Sequence, residues 1–351
     1  MKLHLCHLLC TLTFLLLLLQ SCQHRPLVEM GNTHYVRVYI NDTIKNTTYQ
    51  FYNDTLVRPD YKEPGVMRVT LNDQKTGAQV AESFLQHTGR DQRGYYLDGY
   101  LIADAGDYDL MMYNIGTETT NVRDVYNYNT VTAYTNEIQS QLYARIPQLS
   151  RELKGEKIAY IPDHLFVTTK RSVHLPFTDR IDTIMDNNRP YFDAPTLVKT
   201  YYLQVRVKGI QYVTSAVSLI SGMAGSSTLS TRSMVETDSV LLYMEMDSYE
   251  LHDEPETSVI YTSFNTFGKL PKSTSRLTVT FEFITLDGNS QVETIDITNL
   301  FQTLTVEENQ WILIDKIITI NPPEKPKPGE GNGGFSPGID DWDNIHSTLP
   351  V

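Results

Sequence analysis

The residues able to do chemistry are few, and most of them stand at spacings that chemistry does not use. The three cysteines are Cys6, Cys10 and Cys22, so no thiol lies beyond residue 22. The later histidines, among them His34, His87, His164, His174, His252 and His346, include no pair at i, i+4 with an intervening glutamate, the spacing that puts two imidazoles on one metal. There is no Gly-x-Ser-x-Gly elbow to expose a nucleophilic serine and no phosphate loop. Asp340, Asp341 and Asp343 gather three carboxylates without the glycine turn and closing glutamate of a calcium loop, and read as a solvated acidic run. No catalytic residue, metal ligand or cofactor is expected, and an enzyme is not the reading. Tyr95, Tyr96, Tyr126, Tyr128, Tyr134 and Tyr143 are concentrated enough to form a sugar platform, although tyrosines in strands are more often packing.

The one side chain whose position implies a reaction is Cys22. A basic start at Lys2 is followed by an apolar run, Phe14 to Leu19, that ends at Gln20-Ser21-Cys22. This is the layout of a signal peptide over residues 1–21, and the run is too short for a spanning helix of about 20 residues. Leu19-Gln20-Ser21-Cys22 resembles the lipobox of bacterial lipoproteins. The resemblance implies acylation of Cys22 and attachment to a membrane through that lipid. The remaining body has no second thiol, so it must hold together by core burial alone. A formal net charge of -13 argues against a nucleic-acid partner, because phosphate binding needs a basic footprint.

The elements behind these residues are strands. In Tyr201-Tyr202-Leu203-Gln204-Val205-Arg206-Val207-Lys208 the odd positions are apolar and three of four even ones polar, which predicts one core face and one wet face. Leu277, Val279, Phe281 and Phe283 alternate in the same way and run into an Asp287-Gly288 turn signal. Strands are likewise expected at Tyr35 to Ile40, Val66 to Leu71, Gly99 to Ile102, Tyr108 to Tyr113, Val213 to Leu219, Val240 to Met246, Val259 to Phe264, Val292 to Ile297 and Ile312 to Ile320. The best helical stretch, Glu137 to Leu153, is interrupted by Pro147. Short strands at this spacing, without crossover helices, predict antiparallel sandwiches. A short tether over 22–32 leads to a first domain, 33–195, and a boundary at the Asp182 to Pro195 stretch opens a second, 196–321. From Pro322 a proline-rich spacer and a glycine-rich hinge lead to a tail that ends at 351 and carries Phe335, Ile339 and Trp342.

Four segments resemble the fimbrillin-type anchor and accessory lipoproteins of Bacteroidales, components of type V pili. They are Gly106-Asp107-Tyr108-Asp109-Leu110 through Asn114, Ser218-Leu219-Ile220-Ser221-Gly222-Met223-Ala224, Phe264-Asn265-Thr266-Phe267-Gly268 leading to Leu277-Thr278-Val279, and Gly333-Gly334-Phe335 through Trp342. The resemblance implies an all-β chain of two antiparallel transthyretin-like β-sandwich domains, lipid-anchored in the outer membrane at the cell surface. It implies a fimbrial subunit as partner and a role as fimbrial anchor or accessory component. The lipid site lies upstream of the first strand, so cleavage after that strand, as thought for shaft subunits, would discard the lipid; an anchor or accessory subunit fits better. Thr43, Thr55 and Thr183, with Asp238-Ser239-Val240, match the Asp-Ser/Thr-apolar pattern for O-linked sugars in these bacteria. In the tail, Ile345, Leu349 and Val351 share one face of an extended chain, suited to adding a strand to a sheet edge, either a neighbour's or its own. The competing reading is a surface glycan-binding module, for which exposed coplanar rings in one cleft would speak.

Overall fold

The computed structural model describes residues 32–41, 48–51, 54–57, 61–138, 146, 149, 155–250, 256–271 and 277–323. Among the described residues twenty-four strands carry the fold, labelled β1 to β24 in chain order. A first sheet joins β13 (Asp182–Thr183) and β14 (Phe192–Pro195), which both pair with β1 (Thr33–Asn41), to β7 (Gly94–Ile102) and β6 (His87–Asp91). It faces a sheet ordered β12 (Val167–Leu175), β8 (Gly106–Asn114), β4 (Met67–Asp73), β5 (Gln79–Leu85). Alternate residues of the two sheets, among them Val36, Val38, Val69, Leu71, Leu97, Leu110, Met112 and Phe192, meet in one buried core.

A second sandwich packs β11 (Ile158–Tyr160), β19 (Ser239–Glu245), β16 (Val213–Ala224), β22 (Thr278–Thr285) and β23 (Ser290–Asp296) against β20 (Asp247–Glu250), β21 (Thr257–Thr266), β15 (Lys199–Lys208) and β24 (Trp311–Thr319). Its core holds Leu203, Val205, Val207, Ile220, Val279, Phe281, Phe283, Ile312 and Ile314. The Asp287-Gly288 signal is the β22–β23 hairpin, with Gly288 at φ 78°. A third apolar cluster fastens the two sandwiches together. It joins Met111, Tyr113 and Val167 on the outer side of the β8–β12 pair to Ala224, Leu229, Phe267 and Leu270 of the second sandwich, through the small sheet β18 (Ser233–Met234), β17 (Ser226–Thr228), β10 (Thr132–Thr135), β9 (Thr120–Arg123). The hairpin β2 (Thr48–Phe51) and β3 (Asp54–Val57) completes the set.

Two features differ from the sequence expectation. Most pairings are antiparallel, but β13 and β14 run parallel to β1, β11 to β19, and β24 to β15. Each parallel strand arrives by a long connection and lies at a sheet edge, where no hairpin dictates direction. Nor is the even-numbered face of β15 wet: Tyr202 is 4% exposed and Gln204 fully buried. The helical stretch around Pro147 lies mostly outside the described residues. Its Ile146 and Leu149, with Ile138, pack on Val217, Leu219 and Tyr243 and cover the outer side of β16 and β19.

Candidate interaction surface

The outer face of β1, β7 and β6 is rich in rings, buried at its centre and exposed at its margin. Period-2 alternation sends Val36, Val38 and Ile40 into the core and leaves Tyr35, Arg37 and Tyr39 outside. Across the antiparallel ladder these stand opposite Tyr100, Asp98 and Tyr96, and on β6 His87 stands opposite Asp98 and Gly89 opposite Tyr96. The glycine is needed here: a Cβ at Gly89 would run into the Tyr96 ring that lies across it.

Asp98 is the centre of the face. Its Oδ2 accepts from the Tyr35 hydroxyl at 2.5 Å and from Arg37 at 3.0 Å, and its Oδ1 lies 2.7 Å from His87 Nδ1. Arg37 also donates from Nε to the Tyr35 hydroxyl at 2.9 Å and lies 4.2 Å above the Tyr96 ring. Tyr39 donates to Asp91 at 2.6 Å. Burial alone would raise the Asp98 carboxyl, but the hydrogen bonds from Tyr35, His87 and Arg37 outweigh it and hold the group below the usual carboxylate range. Burial, with the hydrogen bond to Asp98, pushes the Tyr35 phenol up to about 12. The hydrogen bond from Tyr39 leads those that lower Asp91. Charges and hydroxyls thus satisfy one another laterally, a lattice of fixed side chains with no acid or base held in reserve.

Around the lattice the surface is apolar. Tyr100 is 54% and Ile102 62% exposed at the end of β7, and Tyr191 packs edge-on to Tyr39 at 5.2 Å under the guanidinium groups of Arg93 and Arg189. Rings and arginines held rigid are the composition of a protein-binding patch. They make a poor sugar platform, because neighbouring rings meet at 60°, 61° and 85° rather than in one plane.

Of the tyrosines marked in the sequence, Tyr96 belongs to this face. Tyr95 turns toward the first core and bonds to the Pro64 carbonyl, Tyr128 is buried at the junction, Tyr126 is 71% exposed and Tyr134 stacks under Arg123. Tyr143 lies outside the described residues, as do Cys22, Thr43, Ile345, Leu349 and Val351. Thr55 is on β3, and Thr183 is half-buried on β13 opposite Tyr35. Sequence reasoning passed over Tyr35, Arg37, Tyr39, Asp98 and Tyr191. The signal for the first four was present: two strands each read ring, charge, ring at alternate positions, with opposite charges at the centre.

Two of the quoted motifs meet at the sandwich junction. Gly222, at φ 77°, makes a bulge in β16, and past it the Ala224 amide donates to the Gly268 carbonyl while Leu270 donates to Gly222. Beside them lies a cleft of about 590 Å³ lined by Tyr201, Met234, Phe267, Lys269 and Phe301. Its Arg232 is already committed to the carbonyls of Val167 and Thr196. Among the described residues no group of three or more His, Cys, Asp or Glu could hold a metal, and no helix is long and apolar enough to cross a membrane.

A candidate fimbrium anchoring subunit of Bacteroides ovatus, Fim4B, is 24% identical over 281 residues, which cover 72% of this chain and 78% of that protein. A crystal structure of a candidate adhesin from Bacteroides ovatus superposes with a TM-score of 0.55 at 18% identity, covering 87% of this chain and 98% of the other. That of the fimbrial anchor protein Mfa2 from Porphyromonas gingivalis gives a TM-score of 0.42 at 12% identity over 78% and 86% of the two chains. The match to the family described as a domain of unknown function, DUF5119, runs from residue 61 to 245, more than half of the chain, and this protein belongs to that family.

Proposed function

We propose that this chain is a surface lipoprotein that serves as anchor or accessory component of a fimbria, held to the outer membrane by lipid on Cys22. The observation that carries the reading is the extent of the likeness to the candidate anchoring subunit: 72% of this chain, too much for a single shared module. Its partner in this reading is a fimbrial subunit that docks on the ring-rich face of β1, β7 and β6, while Ile345, Leu349 and Val351 offer a strand to that neighbour's sheet edge.

The test is crosslinking on intact cells, followed by identification of what copurifies. A fimbrillin-type subunit is the expected product, and recovery of none would overturn the reading. Cys22→Ser should release a folded, full-length body from the membrane pellet, since acyl chains are its only strong attachment in this proposal. Sedimentation at the wild-type level would remove the lipid from the account.

A further inference from the structure

The end of the first sandwich that holds Asn32 and the start of β1 carries apolar side chains that the core does not use. The Asn32 amide donates to the Thr178 carbonyl at 3.0 Å, and the Ala103 amide donates to the Asn32 carbonyl at 3.1 Å. Thr33 then pairs with Ile102 and His34 with Asp182, so the entry of β1 is held between the end of β7 and the turn that joins β12 to β13. Three exposed side chains ring this point. Phe177 is 76% exposed beside Thr178, Ile181 54% beside Asp182, and Ile102 62% beside Ala103. Phe177 is the most exposed large apolar side chain among the described residues. Single apolar residues on a surface need no explanation, but three around one backbone position mark a contact.

The turn holds two of them in place. Thr178 Oγ1 donates to the Arg180 carbonyl at 2.7 Å and accepts from the Arg180 amide at 3.1 Å, which closes Thr178-Asp179-Arg180 on itself and leaves Phe177 and Ile181 on its two flanks. Asp179 and Arg180 supply one exposed charge of each sign, and exposed Asp104 follows Ala103. The site therefore has no cationic pull toward an acidic surface; what it offers is apolar area. The occupant follows from the chain. Ten residues separate Cys22 from Asn32, a reach of about 35 Å when fully extended, so in the lipoprotein reading proposed above the entry of β1 stays near the bilayer. The three side chains surround that entry, whereas the β6–β7 turn at Gln92 lies about 27 Å away along β7.

We infer that Phe177, Ile181 and Ile102 form a membrane-facing rim that rests in the headgroup and upper acyl region of the bilayer to which the lipid tethers the chain. The inference rests on the lipid at Cys22. Three side chains do not replace acyl chains in holding the protein; they fix which end of the sandwich points down. Ile102 stands at the corner where this end meets the ring-rich face. With the end down, β1 and β7 rise from the bilayer and the ring-rich face turns to the side, where a partner can reach it.

Beyond Cys22 the sequence has no cysteine, so one introduced thiol carries one label. The acylated full chain is reconstituted in phosphatidylcholine vesicles with a nitroxide at Asp179→Cys, inside the turn, or at Gln92→Cys, at the opposite end of β7; both residues are exposed. Flotation reports attachment, and collision with oxygen against a water-soluble nickel chelate reports depth. The label at 179 should be shielded from nickel several-fold relative to the label at 92. Adding Phe177→Asp and Ile181→Asp should abolish that shielding while flotation and melting temperature stay put, because both side chains are exposed and lie off the ring-rich face. On the Cys22→Ser chain in buffer the label at 179 should be as open to nickel as the label at 92. Equal nickel access at 179 and 92 in floating protein overturns the inference and leaves the lipid in place. Shielding that survives the double substitution overturns it too, since the tether alone would then bring the turn down, and shielding in buffer would put protein rather than lipid over the turn. A chain that does not float removes the lipid reading, and the inference falls with it.

Discussion

The outer face of β1, β7 and β6 and the outer face of β21, β15 and β24 follow the same alternation and end in opposite states. The first buries Tyr39 and Asp98 at its centre but leaves Tyr100 and Ile102 exposed at its margin, and the second buries Tyr202, Gln204 and Trp311. Ring content does not separate them, since both are rich in tyrosine. The difference lies in what stands across the ladder. On the first face Arg37 stands opposite Asp98, and the hydroxyls of Tyr35 and Tyr39 each donate to a carboxylate, so these polar groups are satisfied within the sheet. On the covered face Tyr202 stands between Ser263 and Trp311, and Gln204 between Tyr261 and Leu313, so a polar group meets apolar neighbours on both sides. Cross-strand partners, more than composition, decide whether the polar groups of a sandwich's second face are satisfied within its own sheet.

The largest effect should come from the covered face. Trp311→Ala removes a fully buried indole and should cost about 4 kcal/mol, read as a lower urea midpoint at unchanged slope. A loss of less than about 1 kcal/mol would put Trp311 in water and erase the contrast between the faces. On the open face Asp98→Ala leaves Arg37, Tyr35 and His87 without their common acceptor, and the expected cost is smaller, about 2 to 3 kcal/mol, because Arg37 can turn to solvent. Should Asp98→Ala prove the more damaging of the two, the lattice rather than burial would dominate the fold.

Acid sharpens the contrast further. Asp98 is held below its unfolded range, so its contribution is fully present above about pH 4 and is lost as pH falls through the depressed folded value. Melting of the wild type should therefore drop steeply on acidification below about pH 4, and Asp98→Ala should flatten that limb. Trp311 carries no titratable group, and its neighbours in its apolar cluster, Tyr202, Tyr261 and Leu313, carry no carboxyl. Trp311→Ala should leave the acid limb parallel to wild type.

Much of this was legible in the sequence. The runs at Tyr35, Tyr108, Tyr201, Val213 and Leu277 and the Asp287-Gly288 turn are all strands or hairpins, because period 2 is set by the pleat itself. What alternation could not convey is long-range. Nothing local in Phe192-Asp193-Ala194-Pro195 says that it lies parallel to β1, nor in Ile158-Ala159-Tyr160 that it completes the sheet of β19. The polar spacing of Gln204 and Arg206 was read as wet because polarity, not the ladder neighbour, was counted. The open face was missed for a related reason: Arg37 and Asp98 are 61 residues apart and form one feature only once β1 and β7 are paired.

The smallest effect on stability should carry the largest consequence for function. Tyr100 is more than half exposed, and its described support is the tilted contact with Tyr35 at 5.7 Å. Tyr100→Ala should therefore change stability by about 0.5 kcal/mol, within the range of ordinary surface substitutions. If the face binds a protein, the same change removes an exposed ring at the margin of a rigid patch, where interfaces draw energy from tyrosine and arginine. Crosslinked partner recovered from cells should then fall several-fold while the melting temperature stays put, and Tyr100→Phe, which keeps the ring, should restore most of it. Arg37→Ala is the weaker probe, because it would loosen Asp98 and Tyr35 and mix folding with binding. Partner recovery unchanged in Tyr100→Ala and in an Ile102→Asp variant would leave the face as a wet surface with no partner, and docking would have to be sought at the sandwich junction beside Phe267.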